Sequence, residues 1–417
     1  MENVQMCLVG CGGMGERHVR GFGALREHGI EHVGLAAVCD LDEAAAVRIA
    51  GIAESTLGHR PKVYASVDEA LNDDGIDAFD IVTDASSHHR VAVPILEAGR
   101  HLLCEKPLGI TVQNCQVILD AAQRSGAVLG VAENYRRGPA NRLARAVLDS
   151  GILGDIHLFV EFHVGGDDGI IITPWRHLKE RGAIGLDMAV HYTDIVQYLL
   201  GPFETAFGAG LIAEPVRRRR EAPEMDLASY HARHAGMPET VEATGEDSII
   251  AMFQMQSGVM AQCVNIASGP EKLGSRTVYG RDGVMRIPRD RSGLAVEVTF
   301  RDGSIQGDDL AELIGFELDP LTQRLFQSTV YDRPFEWIDA AHVAVELADF
   351  GSAVIENRSP EVDGELGTAA VAAVLAVLES GVLGRAVTYD EVRSGAVHSY
   401  QDEIDLALGL EPVGGRS

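Results

Sequence analysis

The first third of the chain alternates short apolar runs with longer segments whose apolar residues recur at helical spacing. Five of the short runs are predicted strands, at 4–9, 32–40, 78–85, 101–105 and 127–131. The intervening segments, such as the alanine-rich stretch 42–57, are predicted helices. Strands that are apolar throughout are typical of a parallel sheet covered by helices on both faces. We therefore predict a doubly wound α/β domain of the Rossmann type over residues 1–132.

After about residue 133 the strand-like runs follow one another with few helices between them. They lie at 155–164, 203–212, 247–255, 258–268, 275–280 and 283–287. A turn, Gln256-Ser257-Gly258, joins two of them as in an antiparallel hairpin. Residues 133–417 are therefore predicted to form an α+β domain with a largely antiparallel open sheet, whose helices at about 338–380 pack back toward the Rossmann domain. Residues 214–243 are polar and aperiodic, which predicts a long loop or arm.

Composition narrows the class of protein. Of the 417 residues, 46% are hydrophobic and 23% are charged, as in an ordinary globular protein. No apolar run approaches the roughly 18 residues that span a membrane, and no targeting segment begins the chain, so we expect a cytoplasmic protein without membrane association. The net charge of −27 disfavours nucleic acid as a partner. The four arginines at 217–220 have acidic neighbours, and we expect them in a solvated loop.

The six cysteines form no CxxC pair, and most of them lie in apolar runs. This pattern indicates reduced, buried thiols rather than a disulfide framework or a zinc site. No group of His, Cys, Asp and Glu has the spacing of metal ligands, so we expect chemistry without a metal.

A glycine motif, Gly10-Cys11-Gly12-Gly13-Met14-Gly15, separates the first predicted strand from the first predicted helix. In that context GxGxxG indicates a dinucleotide site, with Gly10, Gly12, Gly13 and Met14 at the cofactor. Gly10 permits a tight turn, Gly12 lets the backbone approach a pyrophosphate, and Gly15 lets the helix pack on the strand. The N–H groups at the helix start then face the phosphates.

The second predicted strand ends at Asp40, whose carboxylate is suited to accept hydrogen bonds from the adenosine ribose. A carboxylate there repels a 2′-phosphate, and Leu41 and Asp42 supply no cation to bind one. NAD is therefore favoured over NADP, while FAD and a nucleotide sugar remain alternatives.

Several motifs together resemble the Gfo/Idh/MocA family of oxidoreductases, which includes glucose–fructose oxidoreductase and inositol dehydrogenases. The motifs are GCGGMG, TDASSH (83–88), LEAGRHLLCEKPLGIT (96–111), PWRH (174–177) and GAIGLDMAVHYTDIVQYLLG (182–201). The resemblance covers most of the chain, and the Glu-Lys-Pro box together with the Asp-x-x-x-His box makes it specific. It implies NAD-dependent dehydrogenation of a sugar, glycoside or cyclitol, and assembly as a homodimer or homotetramer.

The resemblance also implies roles for individual residues. Lys106 follows the strand HLLCE, at the end of a parallel strand where ligands bind. It is expected to contact the cofactor and to stabilise a developing alkoxide beside the nicotinamide. Glu105 is expected to line the nicotinamide pocket, and Pro107 often follows a cis peptide bond in the family. Asp187 and His191 are four residues apart and share a helix face.

His191 is expected to take the hydroxyl proton. Asp187 could bind the substrate, raise the basicity of the histidine, or orient it. Further positions match the family near the cofactor or the sugar, although each also fits a packing role: Ser86 and His88 at the cofactor, and Tyr135, Arg136, Trp175, Arg176 and His177 at the substrate.

Three functions remain in competition. The first is an NAD-dependent dehydrogenase acting on a secondary hydroxyl. The second is a redox-neutral glycoside hydrolase, in which a retained NAD oxidises the ring transiently and Tyr135 or His177 is an extra acid or base. The third is an NAD-binding regulator without catalysis, which the presence of Lys106, Asp187 and His191 disfavours.

Overall fold

The computed structural model describes residues 3–411. By packing, the chain divides into two compact units. The first unit comprises the chain up to Asn134 together with Glu221–Met237 and Asp339–Thr368, and the second comprises Tyr135–Arg220, Pro238–Ile338 and the chain from Ala369 onward. The predicted division of the chain at 132/133 was drawn from the pattern alone. The two later segments show that the first unit is not continuous in sequence.

The sheet of the first unit has six parallel strands in the order β3-β2-β1-β4-β5-β6. They are β1 (Val4–Val9), β2 (Val33–Cys39), β3 (Lys62–Tyr64), β4 (Ala78–Ile81), β5 (His101–Glu105) and β6 (Leu129–Ala132). The four residues of β4 are all buried, because helices shield both faces of such a sheet. The predicted Rossmann-type fold is confirmed.

Helices follow the strands of this unit: α1 (Gly13–Glu27), α2 (Glu43–Leu57), α3 (Val67–Leu71), α4 (His88–Glu97) and α5 (Val112–Ser125). A short 3₁₀ helix, Ala85–Ser87, precedes α4. Side-chain caps explain where helices begin: Asp42 accepts hydrogen bonds from the N–H groups of Ala44 and Ala45 at the start of α2. At its other end, Gly58 adopts the left-handed conformation that stops a helix.

The sheet of the second unit has nine strands in the order β16-β15-β14-β13-β7-β12-β11-β8-β17. They are β7 (Ile156–Gly166), β8 (Phe203–Leu211), β11 (Ser248–Met255), β12 (Met260–Gly269), β13 (Leu273–Gly280), β14 (Val284–Ile287), β15 (Glu297–Phe300), β16 (Gly303–Gln306) and β17 (Val387–Thr388). β7 and β12 pair in parallel, and the other neighbours pair antiparallel. Buried and more exposed residues alternate along β12, because one face packs on helices. This confirms the predicted, largely antiparallel sheet.

The remaining helices are α6 (Pro139–Ser150), α7 (Ile184–Leu200), α8 (Ala228–Ala235), α9 (Gly307–Ile314), α10 (Pro320–Phe326), α11 (Phe335–Glu356), α12 (Gly364–Leu383), α13 (Tyr389–Arg393) and α14 (Asp402–Leu408). Two 3₁₀ helices, Pro174–His177 and Lys179–Arg181, precede α7.

The length of α12 corrects one expectation from the sequence. This helix of 20 residues has a mean hydropathy of 2.0 over its most apolar window, enough by length and composition to cross a membrane. However, 72% of that window is buried within the protein. A buried core helix has the same composition, and we therefore interpret α12 as part of the core.

The segment 214–243, which we predicted to be a long loop or arm, contains regular structure. It contains α8 and two short strands, β9 (Val216–Arg218) and β10 (Thr240–Glu242), which pair antiparallel. Elements this short show no periodicity that the sequence could reveal. The expected solvation of the arginine run is also wrong at Arg217, which is fully buried and donates to Asp247 over 2.7 Å.

Candidate functional site

The glycine positions of the turn after β1 leave little room for a side chain. Gly10 has a φ of +107°, which L side chains rarely adopt. A Cβ on Gly15 would lie 2.3 Å from the carbonyl oxygen of Gly10, so only glycine lets α1 approach the strand. Gly12 is the N-cap of α1 and brings no side-chain cap, and the helix begins at Gly13. Backbone N–H groups at such a helix start suit an anion such as a pyrophosphate.

Asp40 lies directly after β2 and bonds to the glycine turn. Its Oδ2 accepts from the N–H of Cys11 over 2.6 Å, and its Oδ1 accepts from the N–H of Asp42 over 2.9 Å. Met14 accepts a hydrogen bond from Arg17 through its sulfur. A tight glycine turn with a carboxylate at the end of the second strand fits NAD. The contacts of Met14 and Asp40 with the cofactor stay predictions.

Lys106 begins the turn after β5, and Glu105 anchors that turn. The buried carboxylate of Glu105 accepts from the N–H of Lys106 through Oε2 over 2.9 Å. The Lys106–Pro107 peptide bond is cis. His88 is buried, and its Nδ1 lies 3.0 Å from the carbonyl oxygen of Pro107. Two residues predicted at the cofactor, Glu105 and His88, therefore position the backbone that carries Lys106.

Sequence reasoning missed His18, which lies at the centre of a buried charge cluster. Nδ1 of His18 lies 2.7 Å from Asp80, and Nε2 lies 3.3 Å from Glu105 and 3.8 Å from Glu346. Burial alone lowers the pKa of His18, but Asp80, Glu105 and Glu346 together raise it well above its ordinary value. Burial raises the pKa of Glu105, and His18 and Lys106 reverse this to a net lowering. The cluster therefore keeps Glu105, the residue before Lys106, ionised.

Three members of this cluster, His18, Glu105 and Glu346, are close enough together to hold a metal ion. Both ring nitrogens of His18 already face carboxylates, and the raised pKa places a proton where a metal would compete. Chemistry without a metal therefore stays our prediction. No sequence spacing could have revealed the cluster, because its members come from distant segments.

Ser86 belongs to the 3₁₀ helix that follows β4. Asp84 caps this helix by accepting from the N–H of Ser86 over 2.9 Å. Burial lowers the pKa of His88, the next residue but one, so the ring is neutral at neutral pH. A neutral His88 donates a hydrogen bond from only one ring nitrogen. Its Nδ1 lies 3.0 Å from the carbonyl oxygen of Pro107, and its Nε2 lies 3.3 Å from that of Thr83, so the contact with Pro107 is the shorter. Contact of Ser86 with the cofactor stays a prediction.

In the second unit, His191 stacks on Tyr135. The two rings are nearly parallel, at 6°, and their centroids lie 3.9 Å apart. The hydroxyl of Tyr135 accepts from Arg291 over 3.0 Å, and the guanidinium carbon of Arg291 lies 4.9 Å from the centroid of the Tyr135 ring. A predicted catalytic residue and a predicted substrate residue are thus brought together. Arg291, which no motif marked, completes the stack.

Asp187 and Arg176 form a buried ion pair. Asp187 lies on α7 one turn before His191, and Arg176 lies in the 3₁₀ helix Pro174–His177. Arg136 and Asp194 form a second buried pair, in which Nε of Arg136 donates to Asp194 over 2.7 Å. Both arginines that were predicted at the substrate therefore form an ion pair with a carboxylate on α7. These pairs favour a role of the arginines in positioning that helix.

His177 does not have the properties of an acid or base at neutral pH. It is fully buried, and its Nε2 accepts from the N–H of Ile171 over 3.0 Å. Burial, with Arg217 and Arg176 nearby, lowers the pKa of His177 to about 3. This low pKa argues against His177 as the extra acid or base of the redox-neutral hydrolase. Trp175, two residues earlier in the chain, is half-buried, and its contact with substrate stays a prediction.

A second buried network lies beside the ring stack. Arg276 donates to Glu161 over 2.8 Å and also to Asp290, which accepts from Asn141 over 2.8 Å. Burial raises the pKa of Glu161 to about 7. The charge of Arg276 opposes this effect, and the charge of Asp290 adds to it. Because Asp290 precedes Arg291 in the chain, this network holds the backbone that carries the arginine of the stack. The sequence offered no signal for it.

Family models match both units. The model for an oxidoreductase family with an NAD-binding Rossmann fold matches residues 4–133, and that for the GFO/IDH/MocA C-terminal domain matches residues 141–286. Levoglucosan dehydrogenase of Pseudarthrobacter phenanthrenivorans is 32% identical over 297 residues, which are 68% of this chain and 73% of that protein. The chain belongs to the Gfo/Idh/MocA family. The resemblance inferred from the motifs is confirmed.

Other relatives agree with membership of the Gfo/Idh/MocA family. 1,5-Anhydro-D-fructose reductase of Ensifer adhaerens is 24% identical over 354 residues, covering 83% of this chain and 88% of that protein. A solved structure of levoglucosan dehydrogenase with NADH and L-sorbose superposes with a TM-score of 0.75 at 21% identity, covering 94% of this chain and 100% of that one. That likeness concerns the fold. As a member of this family, the protein is an oxidoreductase that binds NAD.

Proposed function

We propose that the protein oxidises a secondary hydroxyl of a sugar, glycoside or cyclitol. Relatives named for levoglucosan and for anhydrofructose support a carbohydrate substrate. The observation that carries the proposal is the anchoring of Lys106: Glu105 and His88 hold the turn that presents its ammonium after β5. A cation held in place by its backbone can stabilise charge that develops only in the transition state.

The residues of the chain divide the chemistry between them. Lys106 stabilises the alkoxide oxygen as the hydroxyl proton leaves, and His191 accepts that proton through its imidazole. Tyr135 covers one face of the His191 ring, which restricts the directions from which a hydroxyl can approach. NAD, when bound, supplies the acceptor for the hydride. The ion pair of Asp187 with Arg176 holds the turn of α7 that precedes His191.

The proposal is tested by following NADH absorbance with a panel of anhydrosugars, aldoses, glycosides and cyclitols, and by analysing the products. Formation of NADH together with a keto product supports the dehydrogenase. Release of free sugar without net NADH would replace it by the redox-neutral hydrolase. Bound NAD with no turnover of any compound in the panel would contradict both enzymes.

Replacing His191 by asparagine is expected to lower kcat/KM by about 100- to 10,000-fold, the usual contribution of a general base. Asparagine keeps a polar side chain but cannot take up a proton. The part of the pH dependence of kcat/KM that comes from the imidazole should therefore disappear in the variant. The measurement is a pH profile of initial rates with saturating NAD.

His163→Asn provides the control, because His163 belongs to the same unit and packs on Tyr192 with ring centroids 5.1 Å apart. Its pH profile should match that of the unmodified protein. If His191→Asn keeps the profile as well, His191 is not the base.

We also propose that the protein is a homo-oligomer, paired through the outer face of the nine-stranded sheet. Large apolar side chains on that face are exposed: Phe162 on β7, Phe207 and Leu211 on β8, Ile250 and Met252 on β11, and Tyr279 on β13. Phe207 and Met252 are direct cross-strand neighbours, so the exposed apolar side chains of β8 and β11 lie next to one another. An apolar patch of this kind is typical of a protein interface.

Phe207→Glu is expected to convert the assembly to monomers, because it places a charge among apolar side chains. Light scattering after size exclusion measures the mass. Leu406→Glu is the control, since Leu406 is exposed on α14, outside the sheet. A monomeric unmodified protein, or an assembly that survives Phe207→Glu, would contradict the proposed interface.

A further inference from the structure

The segment Glu221–Met237 packs in the first unit, against the start of α1. The N–H of Ser229 donates to Oε2 of Glu16 over 2.8 Å, and Glu16 is buried. The ring of Tyr230 lies on Gly13, where an added Cβ would be 2.4 Å from the ring edge. The segment therefore covers the same glycine turn that holds the cofactor.

Arg233 lies one turn beyond Tyr230 on α8, and its side chain reaches the glycine turn. An added Cβ on Gly12 would lie 2.8 Å from Nη2 of Arg233. The guanidinium also lies over the Tyr230 ring, with its carbon 5.5 Å from the centroid. Among residues 3–411, the side chain of Arg233 has no hydrogen bond and no ion pair, and only its backbone is bonded, with its carbonyl accepting from the N–H of Gly236. A planar cation is thus held beside the N–H groups that begin α1.

Arg48, on α2, is a further cation of the first unit, and its charge acts on the pKa of both Arg233 and Cys11. Its Nε is buried and has no hydrogen-bond partner among residues 3–411. Glu224 is the carboxylate whose charge acts on Arg233, and burial lowers the pKa of Arg233.

We propose that Arg233 binds the diphosphate of NAD and holds it against the start of α1. The two phosphates are negatively charged, and their oxygens accept hydrogen bonds. The guanidinium of Arg233 and the backbone N–H groups at the start of α1 can both donate to them. A guanidinium offers several N–H donors in one plane, which matches phosphate oxygens. The segment that contains α8 thereby adds a residue from outside the sheet to the cofactor site. This inference rests on NAD binding and not on the proposed sugar substrate.

The test is cofactor binding to the full chain, measured without substrate. In Arg233→Gln, the Kd of NADH and of ADP-ribose should rise about 10- to 100-fold, the range of a charged hydrogen bond. The affinity for adenosine, measured as a competitor of NADH, should not change, since adenosine carries no phosphate. Release of NADH in stopped-flow measurements should be faster. Arg233→Lys should recover part of the affinity, because it keeps the charge.

Arg218→Gln is the matched control, because it removes the same charge from an exposed arginine of the segment 214–243. The Nε of Arg218 lies 3.5 Å from the carboxylate of Asp168. The NADH affinity of this variant should equal that of the unmodified protein. An unchanged Kd of NADH in Arg233→Gln would overturn the proposal. So would an equal loss of affinity for adenosine, which would indicate a disturbed fold. Failure of every sugar to react would leave this test unaffected.

Discussion

Lys106→Met is expected to lower kcat/KM by about 100- to 1,000-fold, the loss measured when one electrostatic stabiliser is removed from an active site. Methionine keeps the length and the apolar stem of the side chain but removes the ammonium. Glu105 bonds to the backbone N–H of residue 106, so the turn should keep its position. Binding of NADH should therefore stay nearly unchanged while turnover is lost.

The matched control is Lys62→Met, which makes the same substitution at an exposed lysine of the same unit, paired with Asp73. That variant should turn over at the original rate. If Lys106→Met retains full activity on a substrate found in the panel, the ammonium does not stabilise the alkoxide. If the variant no longer binds NADH, the lysine belongs to cofactor binding instead.

His18→Gln is expected to reduce the free energy of unfolding by about 3–5 kcal/mol, as in other cases where one partner of a buried ion pair is removed. The substitution leaves the buried carboxylates of Asp80, Glu105 and Glu346 without their central cation. Urea unfolding of the cofactor-free protein at pH 6 measures the change. His28→Gln is the control, because His28 follows α1 and its Nδ1 bonds to the carbonyl of Ala24.

The sign of the pH effect follows from the raised pKa of His18. Its contribution to stability is complete below about pH 6.5, the ordinary value of histidine in an unfolded chain. That contribution is lost as the pH rises through the raised pKa of the folded state. A loss in His18→Gln no larger than in His28→Gln at pH 6 would show that the cluster does not depend on this cation.

The sequence predicted elements well where local pattern decides them. The predicted helix 42–57 is α2, Glu43–Leu57, because its apolar residues recur at helical spacing and Gly58 ends it in the left-handed conformation. The predicted strand 101–105 is β5. Within 214–243 the same reasoning failed, because α8 has eight residues and gains its order from packing on α1.

The candidate site divides in the same way. Lys106, Asp187 and His191 could be predicted because their motifs are short and contiguous. His18, Arg291 and Arg233 were missed, because each acquires its meaning from a partner far along the chain. His18 and Asp80, for example, are 62 residues apart. Spacing in sequence carries no information about such pairs.

Local chemistry therefore determined the family, the glycine turn that we predict to receive NAD, and the lysine after β5, since each depends on neighbours within a few residues. Tertiary packing decided which groups meet. It brings His18 to Glu105, stacks Tyr135 on His191, and places the guanidinium of Arg233 beside Gly12. The reason is physical. Backbone conformation follows from adjacent residues, whereas the energy of a buried charge depends on whatever the fold places beside it.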